Sequence, residues 1–129
     1  MANLLIIDDD LNVREYLAAA ARDLGHHVVL ATSCSEGQAR LADTNIDIII
    51  AEIFLPDSLD QDDWVEHMKQ RADGRPLILI TGEPTAELAA KAKAAGVLGF
   101  LTKPFELTFI KHLLSQVTGM PPSASGCDV

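Results

Sequence analysis

Short runs rich in isoleucine, leucine and valine alternate five times with amphipathic stretches along this chain, and two of the runs are apolar at every position. Ile48–Ile49–Ile50 and Leu77–Ile78–Leu79–Ile80 leave no polar face, a pattern that belongs to strands covered by helices on both sides. The alternation therefore predicts an α/β fold, a doubly wound parallel sheet with helices on both faces. Strands are expected over 3–8, 27–32, 46–51, 76–81 and 98–101. Helices are expected over 11–24, 35–42, 63–71 and 84–95, and from 106 onward. Val13, Leu17, Ala20 and Leu24 fall at helical spacing ahead of Gly25, and Leu107, Ile110, Leu113, Leu114 and Val117 line one side of the last helix.

A length of 129 residues with 48% apolar and 22% charged residues suits one domain with one sizeable core. That domain is expected over 1–118, and 119–129, with Pro121–Pro122–Ser123, reads as a tail or the stub of a linker. The ten Lys and Arg are scattered against a net charge of -9 and make no basic stripe, which argues against nucleic-acid binding. Cys34 and Cys127 lie far apart with no CxxC spacing and read as free thiols. Leu4–Leu5–Ile6–Ile7 runs into Asp8–Asp9–Asp10, too short and wrongly flanked for a signal peptide, and no run approaches membrane-spanning length. A cytoplasmic protein without membrane contact is expected.

In a doubly wound sheet the ligand crevice lies beyond the carboxyl ends of the strands, where the strand order reverses. Asp8 and Asp9 end the first strand there and Glu52 ends the third, so three carboxylates converge if those strands are neighbours. Clustered carboxylates repel one another unless a cation joins them, and a hard ion with oxygen ligands such as Mg²⁺ suits them. Taken alone, Asp8–Asp9 reads equally well as a helix-capping pair, and Asp10 as the cap itself. Thr81 closes the fourth strand, and Lys103 follows the fifth in Thr102–Lys103–Pro104–Phe105. Singly they read as a loop hydroxyl and a solvated lysine. At successive strand ends, facing the carboxylates, they form a phosphoryl-binding arrangement.

With these groups in place the sequence resembles the receiver domain of two-component response regulators. The likeness lies in Leu4 through Asp10 with Asn12–Val13–Arg14–Glu15, in Glu52–Ile53–Phe54–Leu55–Pro56, in Leu77 through Gly82, and in Gly99–Phe100–Leu101–Thr102–Lys103–Pro104–Phe105, and it spans about 2–118. The resemblance implies a flavodoxin-like sheet of five strands in the order 2-1-3-4-5. It also implies Mg²⁺ held by Asp8, Asp9, Glu52 and the Phe54 carbonyl, phosphoryl contacts from Thr81 and Lys103, and a cis Lys103–Pro104 bond. Phe100 corresponds to the family's switch aromatic, although a plain core or edge aromatic fits the position equally.

Two departures stand out. Receivers accept phosphate on an aspartate where this chain carries Glu52, whose extra methylene carries the carboxylate about 1 Å further out. A misplacement on that scale costs on the order of 100-fold in rate. Little or no phosphorylation is expected. Either Glu52 mimics the phosphorylated state in part, or it pairs with Lys103 and leaves an inert scaffold. The second departure is the acidic stretch from Pro56 to Trp64, longer than the family's usual turn. It lacks the glycine of a calcium loop and reads as a solvated loop leading into a helix on which Trp64 packs against the sheet. His26, His27, His67 and His112 have no ligand spacing and read as structural or surface residues.

These readings lead to a non-enzymatic signalling module within a phosphorelay. It would act on a protein partner, a histidine kinase or a downstream effector, with a homodimer expected through the fourth helix, fifth strand and fifth helix. Slow phosphorylation of Glu52 by a histidine kinase and a Mg²⁺-dependent phosphohydrolase are the competing readings.

Overall fold

The structure, a computed structural model, describes residues 2–43, 45–57 and 61–118, with backbone alone at 61–64, 107, 117 and 118. Five strands, β1 (Asn3–Ile7), β2 (His27–Ala31), β3 (Ile48–Glu52), β4 (Leu77–Thr81) and β5 (Gly99–Thr102), alternate with five helices. The helices are α1 (Leu11–Asp23), α2 (Cys34–Leu41), α3 (Gln61–Ala72), α4 (Ala86–Ala95) and α5 (Leu107–Thr118). All strand pairs are parallel, in the order β2-β1-β3-β4-β5. Leu4 is in register with Val28 on one side and Ile48 on the other, so the order reverses at the β1–β3 seam.

The apolar runs are explained by the two-residue period of a strand. Leu5, Ile7, Ile49, Ala51, Leu77 and Leu79 pack on one face with Val65, Met68, Leu88 and Ala92 of α3 and α4. Leu4, Ile6, Ile48, Ile50, Ile78 and Ile80 pack on the other with Leu17, Ala20 and Ala21 of α1 and Ile110, Leu113 and Leu114 of α5. Every residue of β3 and β4 is buried. One alternation thus supplies two cores.

Capping fixes the helix ends. Asp10 caps α1, its carboxylate accepting from the N–H groups of Asn12 at 2.9 Å and Val13 at 3.3 Å. Thr85 caps α4 by accepting from Leu88 N–H, so α4 starts two residues later than expected, and Gly96 at φ 76° closes it in the left-handed conformation. The expected start of β3 at Ile46 is also corrected. Asp47 ties this segment to Asn3 by both its side chain and its N–H, and the ladder begins at Ile48 and runs on to Glu52. Helix α3 begins at Gln61 rather than Asp63. The Trp64 side chain, Cys127 and the whole tail expected at 119–129 lie outside the described residues. Cys34 is a free, buried thiol, which burial and then the adjacent Asp57 carboxylate push up to about 12. No helix among the described residues is long and apolar enough to cross a membrane.

Candidate functional site

The β1–β3 seam delivers two carboxylates to one point. Asp8 directly follows β1 and continues the side-chain parity of Leu4 and Ile6, while Glu52 ends β3 on the parity of Ile48 and Ile50. Lys103 follows β5 on the parity of Leu101, and its N–H donates to the Thr81 carbonyl at 2.8 Å, which sets the lysine loop against the end of β4. The Lys103–Pro104 bond is cis.

The lysine ammonium joins the two acids. Lys103 Nζ lies 2.6 Å from Glu52 Oε1 and 2.9 Å from Asp8 Oδ2. Each acid is fixed a second time by backbone: Asp8 Oδ1 accepts from Asp10 N–H at 2.9 Å and Glu52 Oε2 from Phe54 N–H at 2.9 Å. The Asp8 Oδ2 contact is an ion pair off hydrogen-bond alignment, and that buried oxygen has no hydrogen-bond partner. Arg14 donates to the Asp8 carbonyl at 2.8 Å and steadies the turn.

Asp8 is 0% and Glu52 4% exposed, so both charges sit away from water. Burial pushes both carboxyls above their usual range, against the pull of Lys103 and of the backbone donors. For Lys103 burial works downward, but Glu52 and Asp8 outweigh it and hold the ammonium above its ordinary value. The lysine is thus firmly charged, and one cation serves two buried acids.

Thr81 is fully buried, and its hydroxyl accepts from Glu83 N–H at 3.0 Å. Thr81 and Phe100 follow the opposite parity, that of Leu77 and Leu79, and Phe100 is half-buried against the α3 and α4 core. On its outer side Lys103 lines an open groove of about 550 Å³ with Asp10, Asn12, Val13, Tyr16, Pro104 and Phe105. The Tyr16 and Phe105 rings meet there at 6.1 Å.

Of the three carboxylates expected to converge, the structure brings together two. Asp9 is exposed, and among the described residues no three His, Cys, Asp or Glu side chains are grouped to hold a metal ion. Asp9 follows Asp8 directly and leaves the strand end on the opposite side, while the Glu52 carboxylate meets the ammonium and accepts the Phe54 N–H. As the described residues stand, Asp8 and Glu52 face the ammonium and Asp9 lies apart, so the carboxylates expected to hold Mg²⁺ are not gathered around one point.

Asp57 has a part that its sequence context did not foretell. Its two carboxylate oxygens accept from Cys34 N–H at 2.8 Å and Ser35 N–H at 3.0 Å, so the loop after Glu52 caps α2 together with Ser33. Burial opposes the charge on Asp57, but those backbone donors hold its carboxyl below the usual range. The nearest sequence signal was Ser33 followed by Glu36, a capping pair that calls for no distant residue.

A reversed strand order, with a lysine bridging two buried acids at the strand ends, defines a flavodoxin-like fold with the site at its switch point. The profile of the response regulator receiver domain matches residues 4–115, and the chain belongs to that family, whose place is in two-component signalling. It is 33% identical to the DNA-binding transcriptional regulator NtrC of Azospirillum brasilense, over 98% of this chain and 27% of that protein. It is 30% identical to the response regulator protein PilR of Pseudomonas aeruginosa, over 86% of this chain and 25% of that protein. The chain therefore spans about a quarter of the length of these curated relatives. Among solved structures it is similar to the chemotaxis protein CheY4 of Vibrio cholerae, with TM-score 0.77 and 27% identity over 91% of this chain and 98% of that one. It is also similar to NtrX of Brucella abortus, with TM-score 0.79 and 25% identity over 92% of this chain and 27% of that one.

Proposed function

We propose that this chain is an atypical receiver module in which Glu52 stands at the family's phosphoacceptor position and regulation proceeds without phosphorylation. It is a non-enzymatic module that works in the cytoplasm through protein contacts. One observation carries the reading: Glu52 Oε1 lies 2.6 Å from Lys103 Nζ, and its other oxygen is held by Phe54 N–H. A phosphoacceptor must present a carboxylate oxygen to an incoming phosphorus, and near-attack geometry tolerates little displacement. Here the longer side chain spends its reach on the lysine that the family directs at the phosphoryl group.

The carboxylate supplies one negative charge to Lys103, less than a phosphoryl group supplies, so it biases the conformational equilibrium only by its smaller differential contacts. Thr81 remains committed to Glu83 N–H. The state is thus lysine-engaged without recruitment of the hydroxyl, a partial imitation of the phosphorylated form. Partner contact is assigned to the α4–β5–α5 face, where Leu98 is 37% and Phe109 51% exposed. A kinase, a downstream effector or a second copy of the chain is the class of partner.

The test is intact mass after incubation with MgCl₂ and a small phosphodonor, for wild type and Glu52→Asp. No phosphoryl increment is expected on wild type and a clear one on Glu52→Asp. Phosphorylation of wild-type Glu52 at the rate of the aspartate variant would overturn the reading.

A further inference from the structure

We infer that the Lys103 ammonium is the resident cation of this site and keeps divalent metal off the Asp8–Glu52 pair. The inference rests on the placement of Glu52 at the phosphoacceptor position and goes beyond it, because it concerns the ground state of the site with no phosphodonor present.

The two oxygens that face the ammonium, Asp8 Oδ2 at 2.9 Å and Glu52 Oε1 at 2.6 Å, are the anionic donors that a divalent cation needs from this pair. The remaining oxygens, Asp8 Oδ1 and Glu52 Oε2, each accept a backbone N–H, from Asp10 and Phe54. Asp9, the third acid in the sequence, is exposed and outside any metal-holding group. A small divalent ion that dehydrates reluctantly would have to evict a cation already present. That cation is covalently tethered, so it competes at high effective concentration and gives up no freedom of translation on pairing. The backbone end of the tether is fixed, because Lys103 N–H is bonded to the Thr81 carbonyl at 2.8 Å. An aspartate at position 52 would hold its carboxylate about 1 Å nearer the backbone, so the lysine would have to follow it to keep the contact. The extra methylene of Glu52 thus converts a carboxylate pair open to an outside ion into one closed by an inside ion.

The experiment is a titration with MgCl₂ alone at constant ionic strength, followed by backbone amide NMR shifts of Asp9 and Phe54. Wild type is expected to show no saturable shift at millimolar Mg²⁺. Lys103→Met, with the tethered cation removed and two acids left, is expected to bind roughly tenfold tighter or better. Should Lys103→Met fail to fold, Glu52→Asp serves in its place, with the same tightening expected. Saturable binding by wild type as tight as by the variant overturns the inference, and so does a folded variant that binds no better than wild type. The two proposals fail separately. A wild type that binds Mg²⁺ but gains no phosphoryl group overturns only this one, and a wild type phosphorylated on Glu52 overturns the assignment of function.

Discussion

Ionisable side chains buried at opposite ends of the sheet pull the stability of this chain in opposite directions with pH. Burial raises the carboxyls of Asp8 and Glu52, so the folded chain binds protons there more readily than the unfolded chain does, and a stabilising share complete below the unfolded values is lost as pH rises through the folded ones. His26 lies at the far end, 4% exposed, with its Nδ1 accepting the Ala2 N–H at 3.0 Å. Burial lowers its pKa below 6.5, so the folded state holds it neutral. Its stabilising share is complete above about pH 6.5 and is lost as pH falls toward the folded value. Urea denaturation of wild type and His26→Gln at pH 7.5 and 5.5 reads this difference, since Gln retains an acceptor for Ala2. Wild type is expected to lose stability relative to the variant on acidification, by at most about 1.4 kcal/mol per pH unit. Equal slopes for the two proteins would refute the buried neutral imidazole.

Arg75 is an element-scale clamp. Its guanidinium donates to the carbonyls of Leu41 at 2.9 Å, of Ala72 at 2.8 Å and of Arg71 at 2.9 Å, and reaches Asp43 and Ile46 besides. Those acceptors are the last carbonyls of α2 and α3 and the segment leading to β3, groups that a helix end leaves unpaired. Arg75→Met is expected to cost about 2 kcal/mol in urea unfolding, and hydrogen exchange should rise first at the end of α2. An unchanged midpoint would mean that water satisfies those carbonyls equally well. Neither this clamp nor Asp57 on α2 could be read from the sequence, because each joins residues more than twenty positions apart. What could be read was periodic or local. The apolar runs at 48–50 and 77–80 foretold buried central strands, and Asp10 foretold the cap of α1. The order in which Asp8, Glu52, Thr81 and Lys103 follow their strands foretold a shared sheet edge. The exposure of Asp9 was hidden, since it turns on where the loop after β1 directs its side chain.

At the scale of the whole molecule the two cores share one sheet, so neither can melt alone. Leu17→Ala, under α1, and Met68→Ala, under α3, are both fully buried truncations. Each is expected to cost about 2–5 kcal/mol and to lower a single transition common to far-UV circular dichroism and Trp64 emission. Two separated transitions in either variant would show that the faces fold independently. The same two-sidedness governs the site. Asp8, Glu52 and Lys103 hang on the α1 and α5 side of the sheet, while Thr81 and Phe100 hang on the α3 and α4 side. The acids and the aromatic thus stand on opposite faces of one sheet. The amide-to-carbonyl stitch between Lys103 and Thr81 is the point at which the backbone joins the two sides of that partition.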